Sequence, residues 1–278
     1  MKLLRVGDKG QEIVAALDSN KDIRDLSEYI TDLSPKTLNY KTLDKLNKLD
    51  LEKLRKIDSK IRIGSCVSSP VDFLAIGLNY KAHAEGTKSK LPTEPIVFNK
   101  SSGCIQGPND PIIKPKSALK MDYEVEVAMV VGREGKYIKE ENAQDYIFGY
   151  CIVNDISERS WQKERGGQWV KGKSIAGPCG PYLVTKEEIS NINKISLSLD
   201  VNGKRRQAGN TERMIFNFNF LISHLSNFMT LYPGTIITTG TPAGTAMEME
   251  KPEFLRSGDK LRLKVDGLGE QNHEIIDE

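Results

Sequence analysis

Glu124 and Glu126 stand two apart in the run Met121-Asp122-Tyr123-Glu124-Val125-Glu126-Val127-Ala128-Met129-Val130-Val131. In a strand, both carboxylates leave from one face while Val125 and Val127 enter the core. Side by side they repel, and one pKa is forced up unless a cation intervenes; a divalent ion removes that repulsion. Asp155 ends another apolar segment, Val153-Asn154-Asp155, and offers a third carboxylate. Three oxygen donors without His or Cys favour Mg2+, Mn2+ or Ca2+ over zinc. Taken alone, a Glu-x-Glu pair also fits the wet face of an antiparallel sheet.

Other residues add chemistry to this acidic set. His83, one of three histidines, sits in Gly77-Leu78-Asn79-Tyr80-Lys81-Ala82-His83-Ala84-Glu85 after an expected strand. Beside the Glu85 carboxylate it is a candidate general base. Lys173 follows the glycine-containing stretch Gly166-Gly167-Gln168-Trp169-Val170-Lys171-Gly172 and could hold an anionic substrate or a developing enolate. In Thr239-Gly240-Thr241-Pro242-Ala243-Gly244, the backbone N–H groups, including that of Gly240, and the Thr241 hydroxyl could bind a carboxylate. Arg159, Trp161, Arg165 and Trp169 fall in a segment placed to close over a substrate.

These residues need strands to carry them. Short apolar runs at Phe73 to Ile76, Glu124 to Val131, Tyr150 to Val153, Ile195 to Val201 and Thr235 to Thr239 have strand character. Asn202-Gly203 between Ser196–Val201 and Lys204–Gln207 predicts a type I′ hairpin. Ile215, Phe218, Leu221, Ile222, Leu225 and Phe228 recur at helical steps, predicting a helix within 214–229. Residues 1–69 differ in texture: a Leu stripe from Leu38 to Leu54 among Lys and Asp predicts short helical turns in an accessory region. Strands and helices do not alternate regularly, which argues against a doubly wound fold.

Composition excludes several classes. The 278 residues hold 40 Lys+Arg against 38 Asp+Glu, a net charge of +2, so there is no general nucleic-acid footprint. Mean hydropathy is −0.43, and the longest aliphatic stretch, Val127 to Val131, falls far short of the ~18 residues that span a bilayer. The N-terminus lacks the apolar region of a secretory signal, so a cytoplasmic location is expected. Cys66, Cys104, Cys151 and Cys179 form no CxxC pair, which fits reduced thiols rather than a zinc site or disulfide framework.

Taken in order, Gly77-Leu78-Asn79-Tyr80-x-x-His83, Asp122-Tyr123-Glu124-x-Glu126, Gly149-Tyr150-x-x-x-Asn154-Asp155-x-Ser157-x-Arg159, Arg165-Gly166-Gly167-Gln168-Trp169-x-x-Gly172-Lys173-Ser174 and Thr239 to Gly244 resemble the fumarylacetoacetate hydrolase family. The resemblance implies an α+β fold, a mixed β-roll flanked by helices over 70–278, preceded by a small N-terminal α/β accessory domain over 1–69. It implies a homodimer with Mg2+ or Mn2+ held by Glu124, Glu126 and Asp155. It further implies water activation by His83, a catalytic or substrate-orienting role for Lys173, and substrate contacts from Gln162 and Thr241. The implied substrate is a small 2-oxo or 2,4-dioxo acid, cleaved at a carbon–carbon bond; related members tautomerise, isomerise or decarboxylate 2-oxo acids.

Two departures from the family pattern stand out. Relatives carry Glu three residues after the loop His, but here that position is Gly86 and the neighbouring carboxylate is Glu85. If Glu85 cannot orient His83, proton transfer without water gains ground over hydrolysis. After Lys173, the segment Ser174 to Pro181 is shorter than in relatives and lacks their Asp.

Overall fold

The apolar run that carries the two glutamates becomes the centre of the molecule. A computed structural model describes residues 1–167, 171 and 175–278. The N-terminal region supplies β1 (Lys2–Val6), β2 (Ile13–Leu17), β3 (Ile23–Asp25), α1 (Tyr40–Leu46) and β4 (Lys56–Ile57). Next come β5 (Phe73–Gly77), α2 (Lys81–Gly86), β6 (Ile96–Asn99), β7 (Ile105–Gln106), β8 (Ile112–Lys114), β9 (Met121–Asp122), β10 (Val125–Val131) and β11 (Ile147–Asn154). The chain continues through β12 (Ser157–Glu158), α3 (Arg159–Glu164), β13 (Gly177–Thr185), β14 (Ser196–Val201) and β15 (Lys204–Asn210). It closes with α4 (Phe218–Phe228), β16 (Ile236–Thr238), β17 (Lys260–Val265) and β18 (Gly269–Asp277).

The largest sheet runs β4-β3-β2-β1-β13-β11-β10-β16-β5-β6, with β7 alongside β13; a second runs β15-β14-β17-β18-β8, and β9 pairs with β12. Pairing is mixed. β10 lies antiparallel to β11 and β16, whereas β16 and β5 are parallel. The architecture is thus α+β, mostly sheet with few helices.

The two faces of β10 serve two cores. Val125, Val127, Met129 and Val131 pack with Phe218, Leu221, Ile222 and Leu225 of α4 and with Leu197, Leu199, Leu261 and Leu263 of the second sheet. On the other face, Ala128 and Val130 pack with Phe148, Val153, Leu183 and the N-terminal Leu3, Val14, Leu26, Leu38 and Leu46. Both faces are covered, so Glu124 and Glu126 are not on a wet face; they are 4% and 2% exposed.

The N-terminal leucine stripe is a core face, and α1 is its helical part. The first 25 residues, however, are mainly strand. β1 pairs with β13, Lys2 opposite Val184, so residues 1–69 extend the main sheet and share its core. The Asn202-Gly203 hairpin forms as expected, with φ of 52° and 77° at its two central residues. The expected helix forms over Phe218–Phe228; Asn217 caps it, accepting from the Phe220 N–H at 2.9 Å.

Candidate active site

The mixed sheet delivers the three predicted carboxylates to one point. Glu124 immediately precedes β10, Glu126 lies within it, and Asp155 follows β11, its N–H donating to the Glu124 carbonyl at 2.9 Å. Carboxylate oxygens of Glu124, Glu126 and Asp155 fall within 4.8 Å of one another, and all three residues are buried. Such a hard, oxygen-only donor set fits a magnesium- or manganese-type ion.

Cations already partly balance the cluster. The Lys171 ammonium lies 2.9 Å from Glu124 Oε2 and 2.5 Å from Asp155 Oδ2, and Lys100 lies 2.5 Å from Asp155 Oδ1. Arg159 forks between Glu124 Oε1 at 2.7 Å and Asp122 Oδ2 at 2.8 Å. Burial alone would raise the Glu124 carboxyl, but Lys171 and Arg159 hold it well below the carboxylate range. Glu126 goes the other way: burial, then the Asp155 and Glu124 charges, push it up to about 8. That excess of negative charge at Glu126 is what a divalent ion would relieve.

Glu126 is aimed by the backbone. Gly240 N–H donates to Glu126 Oε2 at 2.8 Å, so the amide expected to bind a substrate carboxylate instead holds a candidate ligand. Gly240 adopts φ +87°, and a Cβ there would meet Asn79 Cβ at 2.9 Å. The Thr241 hydroxyl donates to the Val125 carbonyl at 2.9 Å and accepts from Gln207 Nε2 at 2.8 Å, while its side chain lines the cleft. Gln207 Oε1 also accepts from Val125 N–H at 3.0 Å, tying the turn to β10.

His83 is buried on α2, and its Nδ1 lies 2.6 Å from Glu248 Oε1. Glu85, the neighbouring carboxylate in sequence, is turned to the surface with its side chain 62% exposed, 3.8 Å from Lys81. The reason is helical geometry: residues two apart on α2 leave from different faces. Glu248 therefore takes the place expected for Glu85. It belongs to a capping turn in which the Thr245 hydroxyl donates to Glu248 Oε1 at 2.8 Å and Gly244 N–H donates to Oε2 at 3.2 Å. Despite burial, the bond from His83 holds the Glu248 carboxyl below its ordinary range. The only trace in the sequence is Thr245-x-x-Glu248, the spacing of a capping box, which says nothing of His83.

A cleft of about 70 Å3 gathers His83, Glu124, Glu126, Gln162, Lys171 and Thr241 on its wall. Gln162 is reached through Arg159, whose Nη1 donates to Gln162 Oε1 at 3.0 Å. Arg159 is thus a clamp on carboxylates, more than the substrate contact or lid expected of it. Lys173 and Trp169 lie outside the described residues. Sequence reasoning missed Lys100, Lys171, Glu248 and Gln207. It also passed over Asn79, whose amide bonds Thr239 O at 2.9 Å and Phe216 O at 3.0 Å, fastening the α2 loop to the glycine turn.

Residues 72–276 match the family model described as fumarylacetoacetate (FAA) hydrolase, C-terminal. A Burkholderia ambifaria protein provisionally named a hydrolase is 47% identical over 274 residues, covering 98% of this chain and 97% of that one. The solved fumarylacetoacetate hydrolase of Exiguobacterium antarcticum superimposes with a TM-score of 0.88 at 27% identity, covering 100% of both chains. A structure described as a probable 2-hydroxyhepta-2,4-diene-1,7-dioate isomerase, from Mycobacterium abscessus, gives a TM-score of 0.83 at 30% identity, covering 100% of this chain and 99% of that one. Fold and relatives together place the chain among hydrolases and isomerases of one superfamily. The chain belongs to the fumarylacetoacetate hydrolase family.

Proposed function

We propose that the protein is a Mg2+- or Mn2+-dependent hydrolase that cleaves a carbon–carbon bond in a small 2,4-dioxo acid and releases pyruvate or another 2-oxo acid. The observation that carries this reading is the buried His83–Glu248 pair, whose His83 lines the same cleft as Glu124 and Glu126. Glu124, Glu126 and Asp155 would hold the ion. When bound, it supplies a Lewis acid for the 2-oxo end of the substrate.

The protein's own groups supply the remainder. With Nδ1 donating to Glu248, His83 keeps Nε2 as the nitrogen that accepts a proton. Water attacks the distal carbonyl, its proton passes to His83, and the adjacent C–C bond breaks with its electron pair left on the departing carbon. Protonation of that carbon gives the 2-oxo acid. Lys171, on the cleft wall, counters negative charge as it develops.

The isomerase or decarboxylase alternative drew its force from Gly86 and an idle Glu85. A carboxylate on His83 restores the means to activate water and favours hydrolysis. The structural relative described as a probable isomerase keeps proton transfer as the competing outcome. The same proposal takes the chain as a cytoplasmic homodimer. An aromatic row on and beside α4, from Phe216 through Phe220 and His224 to the 73%-exposed Phe228, supports self-association.

The test follows diketo absorbance and pyruvate over a panel of 2,4-dioxo acids with Mg2+ or Mn2+, with Glu126→Ala as control. Metal-dependent cleavage abolished in the variant is the expected result. Turnover confined to isomerisation or decarboxylation, or no turnover with metal bound, overturns it.

A further inference from the structure

Cys66, Cys151 and Cys179 are far apart in sequence and meet behind the sheet. Val153 is paired with Cys179 across the β11/β13 ladder, which brings Cys151, on the same face of β11 as Val153, alongside it. Cys66 arrives from the end of the N-terminal region, its N–H donating to the Cys179 carbonyl at 3.1 Å. Cys179 Sγ then lies 3.5 Å from Cys151 Sγ and 3.6 Å from Cys66 Sγ, and all three sulfurs fall within 4.8 Å of one another. All three thiols are free and fully buried, within a cluster that includes Phe73, Phe148, Val153 and Leu183.

We propose that these thiols form a binding site for a soft trivalent ion of the arsenic(III) or antimony(III) type, separate from the carboxylate cleft. Three arguments select this class. Thiolate sulfur prefers soft ions over magnesium-like ones. The spacing supplies the second: with bonds of about 2.3 Å, the Cys179–Cys151 and Cys179–Cys66 sulfur pairs, at 3.5 and 3.6 Å, each subtend roughly 100° at a central atom. That is the angle of a three-coordinate pyramidal centre with a lone pair, well short of the ~120° of a planar one. Structural zinc is almost always four-coordinate, and among the described residues no fourth His, Cys, Asp or Glu joins the group.

Charge supplies the third argument. An apolar core penalises any net charge left inside it. Three thiolates on a trivalent ion are neutral, whereas on a divalent or monovalent ion they leave one or two negative charges. The reaction balances without an oxidant: As(OH)3 meets three thiols, each As–O bond is replaced by an As–S bond, and each thiol proton leaves with a hydroxyl as water. Occupancy would tie the N-terminal region to β11 and β13.

The experiment incubates the full-length, metal-free protein with arsenite under a phosphine reductant and reads native mass and Tm. The expected adduct is one arsenic gained and three hydrogens lost, forming slowly because the thiols are buried, with a higher Tm. Cys179→Ala and Cys66→Ala should lose it, and Cys104→Ala should keep it. If a variant fails to fold, the mass of the wild-type adduct still counts the thiols engaged. No adduct, even after refolding in arsenite, overturns the site. An adduct that retains a hydroxyl, or one that survives Cys179→Ala, does the same. A Tm rise of equal size with zinc or copper(I) overturns the charge argument.

Discussion

The Glu248 carboxylate fills the space that a side chain at position 86 would need. Gly86 ends α2 one turn beyond His83, and Glu248 enters that gap from a capping turn 165 positions away from His83 in the chain. The residue that looked like a missing partner is the vacancy that admits the partner. Gly86→Ala should therefore leave the fold intact, because the obstructing atoms are the tip of a flexible side chain, and should lower kcat by turning Glu248 off His83. Matched Tm with reduced kcat is the expected pair of readings. Unchanged kcat would break the link between positions 86 and 248.

Glu248→Gln and Glu85→Gln separate the two candidate partners of His83. Removing a group that supports a general base costs on the order of 10^2-fold in rate, so Glu248→Gln should lose about that much kcat with KM little changed. Glu85→Gln, at the surface beside Lys81, should stay within about twofold, since exposed ion pairs contribute little. Steady-state kinetics of both variants against one substrate decides it.

Chelation should abolish turnover, and Mg2+ or Mn2+ should restore it. Glu126→Gln should weaken metal binding measured by calorimetry, without unfolding the protein, since the amide keeps an oxygen for Gly240 N–H. Equal metal affinity in wild type and variant would remove Glu126 from the ligand set.

Arg159→Lys keeps the positive charge but should destabilise the protein by roughly 2 kcal/mol, since one of the two buried carboxylates loses its charge-assisted hydrogen bond. Lysine cannot reproduce the fork between Asp122 and Glu124. Chemical denaturation measures the loss, and a change below ~0.5 kcal/mol would mean the pair is replaceable.

His273, 3% exposed, sets a pH dependence of stability. Burial pulls its pKa from 6.5 down to about 4. Above about 6.5 both folded and unfolded imidazoles are neutral. Below it the unfolded chain takes up a proton that the folded chain refuses, so stability falls as pH drops and levels off near 4. The full effect is about 3 kcal/mol. Denaturation at pH 7 and pH 5 should show the decline in wild type and a smaller one in His273→Gln.

Local periodicity was enough to put Glu124 and Glu126 on one face of a strand; the ligand triad came from the resemblance. Glu124 and Glu126 share a face because a strand alternates sides, and Asp155 ends the neighbouring apolar strand. The Asn-Gly hairpin and the α4 stripe were legible for the same reason: their signals span only a few residues. Long-range geometry decided the remainder. Lys100, Lys171 and Glu248 come from other segments, and a sequence holds no record of which distant side chain arrives at 2.6 Å from His83. Nor could alternation reveal that both faces of β10 are covered, which turned a pair of glutamates into a buried, charge-strained site. The three cysteines make the same point: no spacing rule links positions 66, 151 and 179, and only the pairing of β11 with β13, together with the N-terminal segment bonded to β13, brings their sulfurs together.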